Sequence, residues 1–300
     1  MTQDLLSRPA EAGSPTIERA DATASAARNR FGRLRRIRPV EAVSVLVLAF
    51  LVLASLAPTL FTAIGPFDTS PADAFRAPSL DHLFGTDQNG RDVFARVIHG
   101  SSTSLLIGIS ATALGVGLAV ILGLIGGLGP KPVDFVVTRF LEVMFAFPSL
   151  MLGLIFITVF GSGIVTSTIA VGLATAPGYA RIIRGQVLLA RNSGYAEAAV
   201  ALGRSRTRII VRHVLPNVLG PLFVLVTLGL GQTIVWASSL SFLGLGAVPP
   251  AAEWGAMLAS GRAYIANAWW LTVFPGLFIV LSAVAATALG RSIQQRGRES

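Results

Sequence analysis

Two things are scarce in this chain of 300 residues: cysteine, which is absent, and charged side chains, which make up only 13%. Without cysteine the chain can form no disulfide and offers no thiolate ligand to a metal. Soluble domains carry about 25% charged residues, whereas 53% of this chain is hydrophobic. The composition therefore predicts an all-α integral membrane protein and excludes an ordinary soluble domain.

Catalytic and nucleotide-binding motifs are missing as well. The three histidines, His82, His99 and His213, are far apart and form no metal-ligand spacing. Glycine is plentiful, but no Gly-x-x-x-x-Gly-Lys-Ser/Thr phosphate loop occurs. We therefore predict no catalytic residue, no metal site and no cofactor bound by this chain.

The net charge of +9 could suggest a nucleic-acid partner. The arginines, however, crowd beside long apolar runs and form no basic face studded with aromatic residues. Arginine-rich segments next to membrane spans stay on the cytoplasmic side. The charge pattern thus predicts a membrane protein surrounded by lipid, with both termini in the cytoplasm and no nucleic-acid partner.

A membrane-spanning helix needs about 20 apolar residues. The sequence predicts six transmembrane helices, at about 40–60, 104–128, 140–160, 164–180, 218–240 and 269–289. They form one membrane domain, 39–290, between a disordered cytoplasmic tail, 1–38, and a cytoplasmic C-terminal tail, 291–300. This domain includes an outer segment, 63–102, and a basic cytoplasmic loop, 181–216.

Two local patterns concern packing. Small residues recur at every fourth position of the second span, which predicts close approach of another helix: Ala111, Gly115, Ala119, Gly123 and Gly127. Arg139 and Glu142 are three positions apart and can pair on one helix face, as a structural ion pair or in a gate.

The stretch from Tyr195 to Pro221 organises the rest of the chain. Residues 196–202 favour a helix, which Gly203 can close in the left-handed conformation. Ser205 can cap a second helix that runs to Pro216. The pattern predicts a helix–glycine–helix element outside the membrane, although a plain basic loop is the alternative.

These residues resemble the "EAA loop" of permease subunits of bacterial ABC importers. The resemblance rests on Glu197-Ala198-Ala199, on Gly203, and on Leu215-Pro216. In that family the two short helices dock into a groove on a cytoplasmic ATPase subunit. The resemblance implies a role in coupling to the ATPase for eight residues: Glu197, Ala198, Ala199, Gly203, Arg208, His213, Leu215 and Pro216.

Two outer segments resemble one branch of the family, the second permease subunit of dipeptide, oligopeptide and nickel importers. The first carries Gly85-Thr86-Asp87 and Gly90-Arg91-Asp92, a turn-rich motif. Arg91 could pair with either aspartate, and the motif could be a structural staple or a substrate contact. The second runs from Leu240 to Gly276 and includes Trp269 and Trp270, which fit an interfacial aromatic belt.

The resemblance implies the ABC type I importer permease fold and a multi-pass permease subunit for di- or oligopeptides in the bacterial inner membrane. The chain would not be an enzyme, because partner ATPase subunits would bind ATP and magnesium. Its partners would be a second permease in a heterodimer, two ATPase subunits and an extracytoplasmic substrate-binding protein. Four polar residues are candidates for the translocation path: Gln232, Ser238, Ser239 and Ser241.

Other functions remain open at this point. The same family imports nickel and other small solutes, although the spans offer no histidine or carboxylate ligands for nickel. A secondary transporter or channel would place ionisable residues at the span centres. The predicted spans carry only hydroxyls, glycines and the Gln232 amide there, which disfavours that class.

Overall fold

The computed structural model describes residues 39–299, with side chains to residue 295. The predicted tail 1–38 lies outside these residues. The described part is helical, and its only extended pairing is the antiparallel bridge between Thr86 and Asp92. The α-helices in chain order are α1 (Pro39–Leu56), α2 (Val93–Leu128), α3 (Lys131–Ala146), α4 (Ser149–Phe160), α5 (Ile164–Arg191), α6 (Gly194–Ala201), α7 (Arg206–Ile209), α8 (Leu215–Phe242), α9 (Trp254–Gly261) and α10 (Trp270–Glu299).

Four helical stretches in residues 39–299 are long and apolar enough to cross a membrane: Pro39–Leu56, Val93–Leu128, Arg206–Phe242 and Trp270–Gln295. The helices α3 and α4 together could supply a fifth span, bent by 90°. The helix α5 carries three arginines and is not among these stretches. An all-helical membrane protein is thus confirmed, whereas six spans and cytoplasmic termini stay predictions.

The helices α2 and α5 pack along each other through the small residues of α2. A Cβ on Gly115 would lie 2.6 Å from Thr175 Oγ1, and one on Gly123 would lie 2.7 Å from Ile183 Cγ2. Contacts this short leave no room for a side chain, so the backbones meet closely. The close approach predicted from the four-residue spacing is confirmed.

The predicted third span is not one straight helix. It breaks at Phe147 and Pro148, where α3 ends and α4 begins. Phe147 is extended, with ψ of 133°, because the proline ring disfavours a helical conformation at the preceding residue. On α3, Arg139 Nη1 donates to Glu142 Oε2 at 2.7 Å, as the spacing predicted.

Several predicted boundaries also change. The helix α2 starts at Val93, so it takes in the last ten residues of the predicted outer segment 63–102. The helix α5 extends to Arg191 and absorbs the first part of the predicted loop 181–216. The final helix runs through to Glu299, well past the predicted span end at 289. Helices in this chain therefore extend beyond the apolar runs that identify them.

The second helix of the cytoplasmic element does not end at Pro216, contrary to the prediction. A π-helical turn, Ile210–Val214, joins α7 to α8, and the Leu215 amide donates to the Ile210 carbonyl five residues back. The wider turn shifts the hydrogen-bond register just before Pro216, which has no amide hydrogen to donate. The helix therefore continues from Arg206 to Phe242.

Candidate functional site

The elbow, residues 194–214, is a helix–glycine–helix unit as predicted. The helix α6 is closed by Gly203, whose φ is +71°, a conformation that favours glycine. Ala196 and Ala199 on α6 pack against Ile209 on α7 as a small buried cluster of their own. The two arms are thus held together by apolar contact, while most of their other residues are exposed.

The predicted coupling residues divide by exposure. Five are exposed: Glu197, Ala198, Gly203, Arg208 and Pro216. Three are buried or half-buried: Ala199, His213 and Leu215. The ring of His213 lies 6.0 Å from that of Tyr195, so it connects the end of the elbow to the start of α6. Glu197, Arg208 and the Gly203 joint are therefore available to a partner, and Ala199 supports the elbow from inside.

Arginines attach the elbow to the inner end of α2. Arg191 Nη1 donates to the Gly127 carbonyl at 3.2 Å, and Arg206 Nη2 donates to the Leu128 carbonyl. The last carbonyls of a helix lack partners within the helix and carry partial negative charge, so cations are favoured there. Arg206 therefore fastens the elbow to α2, and Arg191 fastens the adjoining end of α5 to the same helix end; neither connection has a sequence signature beyond the basic charge.

A second cytoplasmic contact joins α3 to α5. Arg184 Nε and Nη2 donate to the two carboxylate oxygens of Asp134 at 2.6 and 2.7 Å. Such a bidentate pair is stronger than a single neutral hydrogen bond and fixes the orientation of both groups. The residues are 50 positions apart, and the sequence alone did not indicate that they pair.

The outer motif is a turn held by its own aspartates. Asp87 Oδ1 accepts from the amides of Asn89 and Arg91 at 2.8 and 3.0 Å. Arg91 Nη1 lies 3.8 Å from Asp87 Oδ2, so Arg91 is beside Asp87 and away from Asp92. Asp92 caps α2 by accepting from the Ala95 amide at 2.8 Å. Of the two roles left open for the motif, these bonds favour a structural staple over a substrate contact.

Thr86 and the two motif glycines fix this turn against α10. The Thr86 carbonyl accepts from Trp270 Nε1 at 3.0 Å, and Trp270 is only 5% exposed. Trp270 is therefore not part of an interfacial belt, whereas Trp269 is half exposed. Both Gly85 and Gly90 have positive φ, near +70°.

Arg96 and Glu253 are buried charges that the sequence analysis missed. Arg96 donates to the carbonyls of Pro66 and Pro250, at 2.9 and 3.1 Å, and thereby joins the two outer segments. Glu253 is 1% exposed and caps α9 by accepting from two backbone amides, those of Gly255 and Ala256. Burial raises the pKa of the Glu253 carboxyl, although those amides lower it in part. In the sequence, the one signal for these two residues was the position of a charged side chain at the start of a helix, Arg96 in α2 and Glu253 before α9.

The four path candidates do not lie together. Gln232 lines a cavity of about 660 Å³ beside the break between α3 and α4, and the Tyr179 hydroxyl donates to its Oε1 at 3.4 Å. Ser238 and Ser241 are buried against α9, where a Cβ on Gly255 would lie 2.6 Å from the Ser238 carbonyl. Ser239 donates to the Val235 carbonyl within α8. Their path role stays a prediction, and Gln232 is the candidate that lines the cavity beside the break between α3 and α4.

Comparison with known proteins gives consistent results. Residues 115–299 match the family described as the binding-protein-dependent transport system inner membrane component. The chain is 34% identical over 284 residues to the dipeptide transport system permease protein of Alkalihalophilus pseudofirmus, covering 95% of this chain and 93% of that one. It is 38% identical over 262 residues to a putative peptide transport system permease protein of Brucella suis, covering 87% of this chain and 88% of that one.

Among solved structures, an amino acid ABC transporter superposes with a TM-score of 0.55 at 17% identity. The match covers 67% of this chain and 94% of the transporter chain. At this identity the likeness concerns the fold alone.

Proposed function

The chain belongs to the family of binding-protein-dependent transport system inner membrane components, and we propose that it forms one half of a peptide translocation path in an ATP-driven importer. The observation that carries the proposal is the exposed elbow with its Gly203 joint, fastened to two membrane helices. In this proposal the chain itself is not catalytic, and partner ATPase subunits bind ATP and magnesium. A second permease and an extracytoplasmic substrate-binding protein complete the assembly.

The proposed topology has six spans with both termini in the cytoplasm. The spans are α1, α2, the bent pair α3–α4, α5, α8 and α10. The helix α5 has 28 residues, about 42 Å at 1.5 Å per residue, which is ample to cross a bilayer. Its partial burial against α2, α4 and α8 supports a span in spite of its arginines.

Peptides are the proposed substrate class. Several relatives with high coverage are named as dipeptide, oligopeptide or putative peptide permeases. A cavity of about 660 Å³ lies where α3 breaks from α4, within the range of 300–1,000 Å³ that small-molecule sites occupy. A glutathione permease is also a relative, and glutathione is itself a tripeptide.

The elbow offers a direct route for the proposed coupling. The arm α7 continues through the π-helical turn into α8 without a break, so a displacement of the elbow would turn a membrane helix. Arg206 would carry the same displacement to the end of α2. Motion driven by the ATPases would thus reach two helices that line different sides of the subunit.

Co-purification from membranes tests this role. The tagged chain should bring down ATPase subunits, and Glu197→Lys should lower their recovery about tenfold, because a reversed charge at a docking surface costs several kcal/mol. Gly203→Pro should have a similar effect, since proline cannot adopt a φ of +71°.

Asp81→Lys is the matched control, an equally drastic charge reversal at an exposed residue of the outer segment. ATPase recovery with this variant should equal that of the wild type. Absence of any ATPase from the wild-type preparation would overturn the proposed function.

A further inference from the structure

The cavity beside the break of α3 and α4 has walls of a distinct kind. Its volume is about 660 Å³, and its lining includes the aromatic side chains of Phe145, Phe147 and Trp236. Polar groups enter at few points, among them Gln232 and the guanidinium of Arg181. Mostly apolar walls with a few convergent polar groups are typical of small-molecule binding sites.

Arg181 differs from the other arginines near the break. Arg184 on α5 is paired with Asp134, and Arg139 on α3 is paired with Glu142. Among the side chains described for residues 39–295, no carboxylate lies within ion-pair distance of Arg181; its guanidinium carbon lies 4.7 Å from the centroid of the Phe145 ring. Arg181 is exposed, so its guanidinium is accessible to a ligand in the cavity.

The ring of Phe145 positions this guanidinium without using its hydrogen-bond donors. A cation held over a ring face is attracted through that face, and the N–H groups of arginine lie in its plane and remain free. The Phe145 ring also lies against α5 one turn before Arg181, where a Cβ on Gly178 would be 3.5 Å from Phe145 Cε2, an ordinary van der Waals distance. The free donors match a carboxylate, which arginine binds bidentately.

We propose that this cavity is a peptide subsite in which Arg181 binds a carboxylate of the transported peptide. The C-terminal carboxylate is common to all linear peptides, and the aromatic walls would accept side chains of varied sequence. The Gln232 amide, beside Tyr179, offers a further polar contact to the peptide backbone. This inference rests on the proposed function and adds to it the recognition group and its location.

Uptake by the complete assembly tests the subsite. The probes are radiolabelled dialanine and its C-terminal amide, and the assembly with its binding protein is reconstituted in proteoliposomes. Arg181→Gln should lower dialanine uptake about tenfold or more, because hydrogen bonds to charged groups contribute more than neutral ones. Arg181→Lys keeps the charge but loses the planar guanidinium that binds a carboxylate through two hydrogen bonds. Its dialanine uptake should therefore lie between that of Arg181→Gln and that of the wild type.

The selectivity between the two probes separates recognition from a merely structural role. The binding protein is the same in all preparations, so a change in the ratio of acid to amide uptake reports the permease. Arg181→Gln should lower that ratio about tenfold, and Arg139→Gln, which also removes an arginine over a phenylalanine ring, should leave it unchanged.

The outcomes distinguish the two proposals. If the wild-type assembly imports dialanine and Arg181→Gln keeps both rate and ratio, the subsite is overturned and the peptide function stands. If Arg181→Gln lowers uptake of acid and amide equally, Arg181 has a structural role and the carboxylate assignment is wrong. If the wild-type assembly hydrolyses ATP but imports neither dialanine nor longer peptides, the proposed function fails and the subsite with it.

Discussion

Two glycines with the same backbone conformation should respond very differently to alanine. Gly85 in the outer motif has φ of +72°, and Gly203 in the elbow has φ of +71°. A Cβ on Gly85 would lie 2.6 Å from the Arg76 carbonyl oxygen and 2.8 Å from Trp270 Nε1. A Cβ on Gly203 would meet nothing within 4 Å. The pair therefore separates backbone strain from steric overlap.

The magnitudes follow from these distances. A left-handed conformation costs a residue with a side chain about 1 kcal/mol, which both substitutions incur. Ordinary contacts between carbon and oxygen begin at about 3.3 Å, so Gly85→Ala must push the Arg76 carbonyl away by several tenths of an ångström. That shift strains the buried bond from Trp270 Nε1 to the Thr86 carbonyl. Overpacking of this kind adds about 1–3 kcal/mol.

Thermal unfolding of the full chain in detergent micelles measures the difference. A loss of 1 kcal/mol shifts Tm by about 2–4 °C for a domain of this size. Gly203→Ala should therefore lower Tm by about 2–4 °C, and Gly85→Ala by about 4–16 °C. Equal shifts would refute the steric argument, and a larger shift for Gly203→Ala would show that the elbow packs more tightly than described.

Three further substitutions test the ion pair and the buried acid. Asp134→Asn and Arg184→Gln should each lower Tm, but the double variant should be no worse than the poorer single one, because both remove the same bidentate pair; additive shifts would contradict this. Glu253 has a folded-state pKa above its ordinary value of 4.5, so its contribution to stability is full below that pH and is lost as pH rises through the folded pKa. Glu253→Gln should lack this loss, and its Tm relative to the wild type should therefore rise with pH above about 4.5; a constant difference would contradict the burial argument.

Local chemistry made part of this fold predictable. The four-residue spacing of small side chains along α2 predicted its close packing, because spacing alone decides which residues share a helix face. Gly203 predicted the elbow joint for a similarly local reason, since few other residues adopt a positive φ without strain. The capping aspartate and the turn of the outer motif are also local, and the sequence indicated a turn there.

Proline was a poor guide to helix ends in this chain. Pro148 breaks a helix, whereas Pro177 and Pro221 lie inside helices and Pro216 follows the π-helical turn that joins α7 to α8. Neighbouring helices can compensate for a missing hydrogen bond in a membrane protein, and that compensation depends on tertiary packing. The sequence around each proline therefore could not decide whether the helix continues.

Long-range contacts explain the rest of what was missed at the candidate site. Arg96 reaches Pro250 across 154 positions of the chain, and Arg184 reaches Asp134 across 50. No periodic pattern encodes such pairs, because they depend on which helices become neighbours. The cavity at Arg181 is a further case, since it forms only where the bent pair α3–α4 faces α5 and α8.

The continuity of α7 with α8 bears on what kind of coupling the subunit can support. If a flexible loop followed Pro216, a partner could move the elbow without moving the membrane helix. The hydrogen-bonded π-helical turn at 210–214 instead transmits rotation and translation together. Arg206 lies on the same arm and bonds the end of α2, so α2 and α8 would move as a pair.

Gln232 is on α8, and α2 packs along α5, which carries Arg181. A displaced elbow would therefore act on two walls of the proposed peptide cavity at once, and binding there would in turn resist or favour that displacement.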